Sequence, residues 1–358
     1  MSNFMLPLNL SNMYNTYMFI AYPMSILSAY YIYTEWSLDR FINIKSNAEF
    51  DFNYAGWSYG LYGEIEQVID MTRIYTSMLC ENFKIDITKA IIRQINDNRY
   101  AYIMLDEYFL SPQLSYMKEH FIHDSLIYGY DDDNSVFYAI SINSFMGTVR
   151  KVRYSFSDVN SAFCSQVKWN EKFVEDKNEK AISVIWMKPK QINEKYCFST
   201  TDFCNKVSDY INSVDSYNDK FYTNTRDYKQ DRFNYGQTAI LDFCEHIKNL
   251  PKFDFQVYRN IHFLYEHKMN MKNKLEIISN NDNFLKKQTI KYEKVFSAYS
   301  MARYLTIKKI CSQNNAGNAV STDKIVSYLL PFIDYEKEIL KNTREYLIKN
   351  RMDINLKV

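Results

Sequence analysis

Short runs of apolar residues, separated by turn-forming residues, characterise the chain between about residues 88 and 156. Four of these runs have the period or the continuous apolar character of β-strands, at 100–105, 125–130, 135–141 and 148–156. Aspartate, asparagine and glycine lie between them, as is typical of strands joined by short turns. The pattern therefore predicts an antiparallel sheet.

Apolar residues at helical spacing flank this region on both sides. Before it, residues 22–36 and 63–83 carry apolar positions at i, i+3 and i+4. After it, one more strand is predicted at 182–189, and the rest of the chain reads as a succession of amphipathic helices. The order indicates the α+β class. We predict a first domain over 1–160 and a mainly helical C-terminal part over 161–358.

Composition narrows the classes of protein that this pattern allows. The 358 residues carry a net charge of +1, which gives no electrostatic footprint for nucleic acid or an anionic membrane. Only 7 Gly and 6 Pro are present, and this scarcity of turn-forming residues argues against an all-β sandwich. A globular protein with long helices is the class that remains.

The first 34 residues contain no Lys or Arg, and polar residues interrupt their apolar positions. They match neither a signal peptide nor a membrane span, which requires about 20 apolar residues, so we expect buried core. The six cysteines form no Cys-x-x-Cys pair and no paired Cys/His ligand spacing. This usage is typical of reduced thiols in a cytoplasmic protein and predicts no metal site.

Candidate chemistry centres on two of the five histidines, which stand at the entrance of a predicted hairpin in "HFIHDSLIYGYDDDNSVFYAIS" (120–141). A histidine base needs a nucleophile, and a cysteine thiolate is most stable at a helix N-terminus. Pro23 marks a predicted helix start, and the residue just ahead of that helix is Ala21. Asn15, six residues upstream, carries an amide that could complete an oxyanion hole.

A third group usually fixes the ring of such a histidine. Ser141 and Asn143 share one face of the strand that follows the hairpin, and we favour the amide of Asn143. Both also fit plain polar residues at a strand end. Asp106 and Glu107, at the end of the neighbouring strand, either meet a cationic amine or form a solvated strand terminus.

These residues resemble the papain-like domain of bacteriocin-processing peptidases, in which the catalytic histidine opens a strand that runs into a Gly-Tyr-Asp turn. His123 lies six residues before Gly129, as that pattern requires, whereas His120 does not match it. The chain is also similar to the butirosin biosynthesis protein H type of domain, which continues into a helical part. Tyr235-Gly236 and Glu266-His267-Lys268 carry that second resemblance.

The resemblance implies cysteine-dependent acyl transfer in bacterial natural-product biosynthesis, as in the transamidase of closthioamide assembly. It implies His123 as base. Together with the positions described above, it leads us to predict Asn15 and Asn143 as supporting catalytic groups, and Tyr22, Asp106 and Glu107 as substrate contacts. The acyl donor would be the phosphopantetheine thioester of an acyl or peptidyl carrier protein, and the acceptor a small primary amine. No cofactor of the enzyme's own, no nucleic acid and no membrane partner is expected.

Ala21 departs from this family, which has its nucleophilic cysteine at that position. Either the chain is a natural pseudoenzyme, or it is a Cys→Ala variant of an active enzyme. Two other functions stay open on the same scaffold: a cysteine peptidase or amidase, and a non-catalytic protein that binds a ligand in the cleft. An acidic acceptor side would favour the transferase, because water as acceptor needs no amine pocket.

Overall fold

The computed structural model describes residues 3–10, 14–30, 33–56, 63–80, 86–143, 148–173, 181–190, 198–215, 233–280, 282–312 and 320–350. Within these residues the strands are β1 (Asn3–Met5), β2 (Ile44–Ser46), β3 (Phe52–Tyr54), β4 (Ile69–Tyr75), β5 (Tyr100–Asp106), β6 (Ile122–Asp131), β7 (Val136–Asn143), β8 (Thr148–Ser155), β9 (Ile182–Pro189) and β10 (Asn234–Tyr235). The helices are α1 (Met18–Leu27), α2 (Tyr33–Leu38), α3 (Thr76–Cys80), α4 (Ile87–Asn96), α5 (Phe156–Phe173), α6 (Thr200–Asn212), α7 (Gly236–Lys248), α8 (Phe255–Ser279), α9 (Asn283–Ser312), α10 (Thr322–Val326) and α11 (Leu330–Lys349). Short 3-10 helices cover Gly63–Gln67 and Glu107–Phe109.

A seven-stranded antiparallel sheet confirms the predicted α+β class. Its strand order is β4-β9-β5-β6-β7-β8, and β1 pairs with the end of β6. The strands predicted at 100–105, 125–130, 135–141, 148–156 and 182–189 correspond to β5, β6, β7, β8 and β9. The local pattern was sufficient for these strands. Strands β5, β6 and β9 are apolar runs that are buried along most of their length, and β8 alternates between buried and exposed residues.

The prediction of one helix over 63–83 is wrong. A 3-10 helix and the short α3 bracket strand β4, which pairs along its whole length with β9. Over seven residues the apolar positions fit either period, and pairing with a strand more than 100 residues away decided between them. Helix α4 was not predicted, because it lies in the region that was interpreted as short strands. Ile87, Ile91 and Ile95 form its buried stripe, and Asp86 caps its N-terminus.

The chain divides into two compact units, and the predicted boundary at residue 160 falls inside α5. The sheet unit contains residues 1–33 and 62–194, and the helical unit contains residues 34–61 and 195–358. Strand β9 lies between β4 and β5 in the sheet, so the chain belongs to the sheet unit until that strand is complete. Strands β2 and β3 pair with β10 in a three-stranded sheet, so residues 34–61 belong to the helical unit.

Buried polar side chains bond segment 37–43, which runs from the end of α2 to the start of β2 within the helical unit. Lys274 donates to the carbonyl of Ser37, and His267 Nε2 bonds the carbonyl of Ile42 at 2.8 Å. Lys206 Nζ lies 2.8 Å from the carbonyl oxygen of Asp39. These side chains bond backbone carbonyls at and beyond the C-terminal end of α2. Among the described residues, no helix is long and apolar enough to cross a membrane.

Candidate functional site

His123 is the second residue of β6, where it pairs with Leu105 of β5. Its Nδ1 is buried and lies 3.5 Å from Oδ1 of Asp124 and 3.7 Å from Oε1 of Glu107. The whole side chain is 25% exposed, so the exposed part belongs to the side chain beyond Nδ1. The ring of Phe121 stacks on the imidazole, with the two centroids 5.4 Å apart. His123 is therefore partly accessible, although its Nδ1 is not.

Glu107 begins the 3-10 helix that follows β5, and its backbone N–H donates to the carbonyl of Phe121 at 2.8 Å. Its side chain is 3% exposed, and neither carboxylate oxygen makes a hydrogen bond of ordinary geometry within the described residues. Burial raises the pKa of this carboxyl group, and the charge of Asp124 adds to the rise. The charge of His123 and a contact with the Ser115 hydroxyl oppose it. Buried carboxyl groups with raised pKa values are typical of functional sites.

A tyrosine from α1 reaches the same place. Tyr22 Oη donates to the carbonyl oxygen of Asp124 at 3.1 Å, and the Tyr102 hydroxyl donates to the carboxylate of Asp124. The two tyrosine rings meet edge to face, with centroids 5.5 Å apart. Burial raises the pKa of Tyr22 well above its ordinary value, and the charge of Asp124 raises it further. Tyr22 is therefore a neutral hydrogen-bond donor that ties α1 to the start of β6.

Ser141 belongs to a second polar layer beneath this site. Gln113 Nε2 donates to Ser141 Oγ at 2.8 Å and to Tyr154 Oη at 2.6 Å. Ser125 lies 3.4 Å from the same tyrosine hydroxyl, and Ser141 also bonds Tyr22. These buried groups are paired with one another. Ser141 thus supports the neighbours of His123 and does not bond its ring.

Position 21 lies inside a helix, and the prediction of a helix start at Pro23 is wrong. Helix α1 begins at Met18, and the N–H of Ala21 donates to the carbonyl of Tyr17 at 2.8 Å. Every residue of α1 is buried, so apolar burial extends the helix around Pro23 in spite of its missing N–H. Ala21 is completely buried and remains in the first helical turn, within reach of the positive end of the helix dipole.

Asp106 is engaged differently from its neighbour Glu107. Its Oδ1 accepts from the N–H groups of Tyr108 and Phe121, and its Oδ2 bonds Ser165 Oγ and His120 Nδ1, each at 2.6 Å. Burial raises the pKa of Asp106, but these hydrogen bonds outweigh it and hold the pKa below its usual value. Because its bonds are already made within the protein, Asp106 fastens the connection between β5 and β6.

The two asparagines proposed as supporting groups stand at element ends. Asn15 is half-buried and precedes α1, and Asn143 is the last residue of β7, where its backbone pairs with Thr148. The side chain of Asn143 lies outside the described part of the chain. Gly129, expected in a turn, lies inside β6 at an irregularity of the β6–β7 pairing.

Three residues of the site were not predicted from the sequence: Asp124, Tyr102 and Gln113. Asp124 directly follows His123, and a carboxylate beside a histidine at a strand start was the one signal available. Tyr102 and Gln113 looked like an ordinary strand residue and an ordinary loop residue. Only the pairing of β5 with β6 and the path of the connection between them bring these side chains to the site.

Burial makes two of the cysteines with described side chains poor candidates for a thiolate nucleophile. Cys164 and Cys311 are exposed, and Cys204 and Cys244 are buried. Burial raises the pKa of Cys204 to about 11 and that of Cys244 to about 12, so these two are neutral thiols. The described residues contain no group of three or more His, Cys, Asp or Glu side chains arranged to hold a metal ion.

Comparisons with known proteins leave the site to be interpreted from its own geometry. No protein-family model matches the chain, and no curated protein sequence does.

Proposed function

We propose that the sheet unit is a papain-like scaffold for cysteine-dependent acyl transfer from a carrier-protein thioester to a primary amine. The observation that carries this proposal is the hydrogen bond from Tyr22 to the carbonyl of Asp124. Tyr22 follows Ala21 and Asp124 follows His123, so the bond joins the neighbours of the proposed nucleophile position and the proposed base. It supports the expectation that a sulfur at position 21 would come close to the imidazole.

The proposed reaction has two steps, and His123 carries the proton in both of them. A thiolate at position 21 attacks the thioester carbonyl, the pantetheine thiolate leaves, and it takes a proton from the imidazolium of His123. A neutral amine then attacks the acyl-cysteine, its proton passes to His123, and the cysteine thiolate leaves as the amide forms. Asn15 and the N–H groups at the start of α1 are the proposed donors to the tetrahedral oxyanion.

The acidic neighbours of His123 favour an amine over water as the acceptor. Glu107 and Asp124 both lie within 3.7 Å of Nδ1, and in the described part of the chain neither has a basic side chain in salt-bridge contact other than this histidine. A local negative field raises the concentration of a cationic amine at the site and does nothing for neutral water. This supports amide formation over hydrolysis.

A second candidate follows from Ala21 itself. A methyl group cannot act as a nucleophile, and the rest of the site could bind an acyl thioester and an amine without joining them. The chain with Ala21 would then be a ligand-binding protein built on the same unit. Acyl transfer by a cysteine variant distinguishes the two candidates.

We expect Ala21→Cys to form a covalent acyl-enzyme with an acyl thioester and to release an amide when a diamine is added. Intact-protein and product mass spectrometry measure both events. The matched control is Ser25→Cys, which places a thiol one turn later on the same buried helix. His123→Ala in the Ala21→Cys background should lose nearly all turnover, because residues of a catalytic group act as a unit.

Three other outcomes would count against the transferase. Free acid without amide would identify a hydrolase. Equal acylation of Ala21→Cys and Ser25→Cys would show that position 21 has no special reactivity. Donor and amine binding by the unmodified chain, with no acyl-enzyme in Ala21→Cys, would identify the ligand-binding protein.

A further inference from the structure

Within the described residues, the buried carboxylate of Glu107 in the sheet unit makes no hydrogen bond of ordinary geometry, and it faces a histidine. Glu107 is 3% exposed, and its Oε1 lies 3.7 Å from the buried Nδ1 of His123, for which the same residues provide no hydrogen bond. Buried polar atoms are nearly always paired, so two unpaired atoms that face each other indicate one interaction held slightly open. An ordinary hydrogen bond of about 2.7–3.2 Å needs an approach of less than about 1 Å.

We propose that Glu107 is the positioning residue of His123: it accepts the Nδ1–H of the imidazole and leaves Nε2 bare as the base. This inference rests on the proposed function, since it assigns the group that orients the base of the acyl transfer. It replaces Asn143, which the sequence favoured for this role, and the alternative Ser141. Catalytic hydrogen bonds are often long in an unliganded site and tighten when substrate binds.

Asp124 is the rival acceptor, and its own contacts argue against it. Its Oδ1 is 3.5 Å from Nδ1, but its carboxylate already accepts from the Tyr102 hydroxyl. Beyond a contact with the Ser115 hydroxyl, the described residues give the oxygens of Glu107 no hydrogen bond, so pairing with the imidazole removes a desolvation cost that Asp124 does not bear. Asp124 therefore serves as an anchor for Tyr102 and, through its backbone, for Tyr22.

Hydrogen bonds hold the backbone at Glu107 and on either side of it in sequence, as a positioning residue requires. Its backbone N–H bonds the carbonyl of Phe121, and the adjacent Asp106 bonds the backbone N–H of Phe121. Further along the same connection, Gln113 is bonded to Ser141 and Tyr154. The carboxyl group thus stands on a backbone tied to both β5 and β6, so its distance to His123 is set by the sheet.

The charged and titratable groups around Glu107 come from several elements. His123 and Asp124 face it from β6, Arg150 acts on it from β8, and the Ser115 hydroxyl lies in its own connection. Tyr22 of α1 and Tyr154 of β8 also interact with its charge. The attractive partners are His123 and Arg150, so an imidazole N–H is the nearest group that can neutralise the buried carboxylate.

The tautomer of His123 tests this in the chain as it is, without any acyl transfer. Long-range proton–nitrogen NMR spectra of nitrogen-15-labelled protein distinguish a protonated Nδ1 from a protonated Nε2. The signals that disappear in His123→Ala are those of His123 among the five histidines. We expect neutral His123 to carry its proton on Nδ1. Glu107→Leu should transfer it to Nε2, whereas Glu107→Gln, which keeps an acceptor oxygen, should leave it on Nδ1.

Glu119→Leu is the matched control, because Glu119 is an exposed carboxylate of the same connection and should change nothing. A proton that stays on Nδ1 in Glu107→Leu would overturn the proposal. A proton that moves in Asp124→Ala but not in Glu107→Leu would assign the role to Asp124 and would also overturn it. If Glu107→Leu fails to fold, Glu107→Ala, which also removes the acceptor oxygens, takes its place, and a proton that stays on Nδ1 there would overturn the proposal.

Kinetics in the Ala21→Cys background separate this proposal from the proposed function. Glu107→Leu should lower kcat for amide formation by about 100-fold or more with KM little changed, because orientation of the base acts in the transition state. An active Ala21→Cys enzyme that keeps its kcat in Glu107→Leu would contradict the role of Glu107. An inactive Ala21→Cys protein in which the tautomer still depends on Glu107 would contradict acyl transfer alone.

Discussion

At the scale of single residues, Gly129 shows how closely two backbones approach in the sheet unit. A Cβ atom at this position would lie 2.6 Å from the carbonyl oxygen of Phe4 and 2.8 Å from Cγ of Met5. Both neighbours belong to β1, which pairs with residues 129–131 of β6. Glycine is required here by proximity and not by a turn, since the residue lies within a strand.

We expect Gly129→Ala to lower the free energy of unfolding by about 1–3 kcal/mol, because the added methyl group displaces β1. Urea denaturation followed by circular dichroism measures the change. Deletion of residues 1–5 provides the control, since the methyl group then meets nothing in β1. An equal loss of stability in the shortened chain would contradict the close-approach explanation.

The residues of the candidate site were predictable to different degrees. His123 and Glu107 were identified from strand-end positions, and the structure brings their side chains within 3.7 Å of each other. Asp106 has the same sequence context as Glu107 but bonds Ser165 and His120 instead. Sequence spacing could not separate these two carboxylates, because their roles depend on the turn of the backbone between them.

At the scale of elements, a buried ion pair links helices of the helical unit. Lys268 of α8 lies 2.7 Å from a carboxylate oxygen of Glu336 on α11, and both side chains are completely buried. Tyr210 of α6 and Tyr292 of α9 also donate to this carboxylate. Side chains from four helices thus meet at the carboxylate of Glu336, and the hydrogen bonds described for it are all made within the protein.

We expect Glu336→Gln to lower the free energy of unfolding by about 3–5 kcal/mol, because Lys268 is left buried without its counter-charge. The double variant Lys268→Met with Glu336→Leu should recover most of the loss, since a well-packed apolar pair avoids the desolvation of both charges. Urea denaturation of the three proteins tests this. Additive losses in the double variant would show that the ion pair is not the coupled unit.

Helix and strand identity followed the local pattern wherever a segment was long or bounded by clear signals. Helix α6 begins at the Ser199 cap, and α8 begins at the Asp254 cap, both within the part of the chain predicted as a succession of amphipathic helices. Strand β4 was predicted as part of a helix, and the start of helix α1 was predicted too late. In β4 the partner strand β9 imposed the extended form, and in α1 complete burial outweighed the start signal of Pro23.

At the scale of the whole molecule, buried bases in the helical unit make stability depend on pH. Burial lowers the pKa of Lys274 from 10.5 to about 7, with Asp39 opposing the change. Burial also lowers the pKa of His267 well below its usual value. Both groups bond the carbonyls of segment 37–43, so their titration acts on the segment that completes this unit.

We expect the free energy of unfolding to rise with pH between about 7 and 9. In this range the unfolded chain binds a proton at Lys274 that the folded chain does not bind, because the folded pKa is about 7 and the ordinary value is 10.5. The slope from one such group is at most about 1.4 kcal/mol per pH unit. Urea denaturation at several pH values should show the slope reduced in Lys274→Met.

Lys272→Met is the matched control on the same helix. Lys272 pairs with Glu276 and Glu293 at the surface, and these pairs raise its pKa, so it stays charged throughout this pH range in both states. Its replacement should leave the slope unchanged. An unchanged slope in Lys274→Met would show that this lysine does not control the pH dependence.

The sequence by itself determined the α+β class, five strands of the large sheet, the helical character of the chain after residue 198, and the positions of His123 and Glu107 at strand ends. These features depend on local periodicity and on capping, which act over a few residues. Only the tertiary structure decided that β9 completes the sheet unit and that residues 34–61 belong to the helical unit. It alone also decided that Glu107 and Asp124 face the imidazole of His123 and that Tyr22 bonds the backbone of Asp124. Those outcomes depend on burial and on pairing between segments that are distant in sequence. The local pattern of residues does not indicate which distant segments pair.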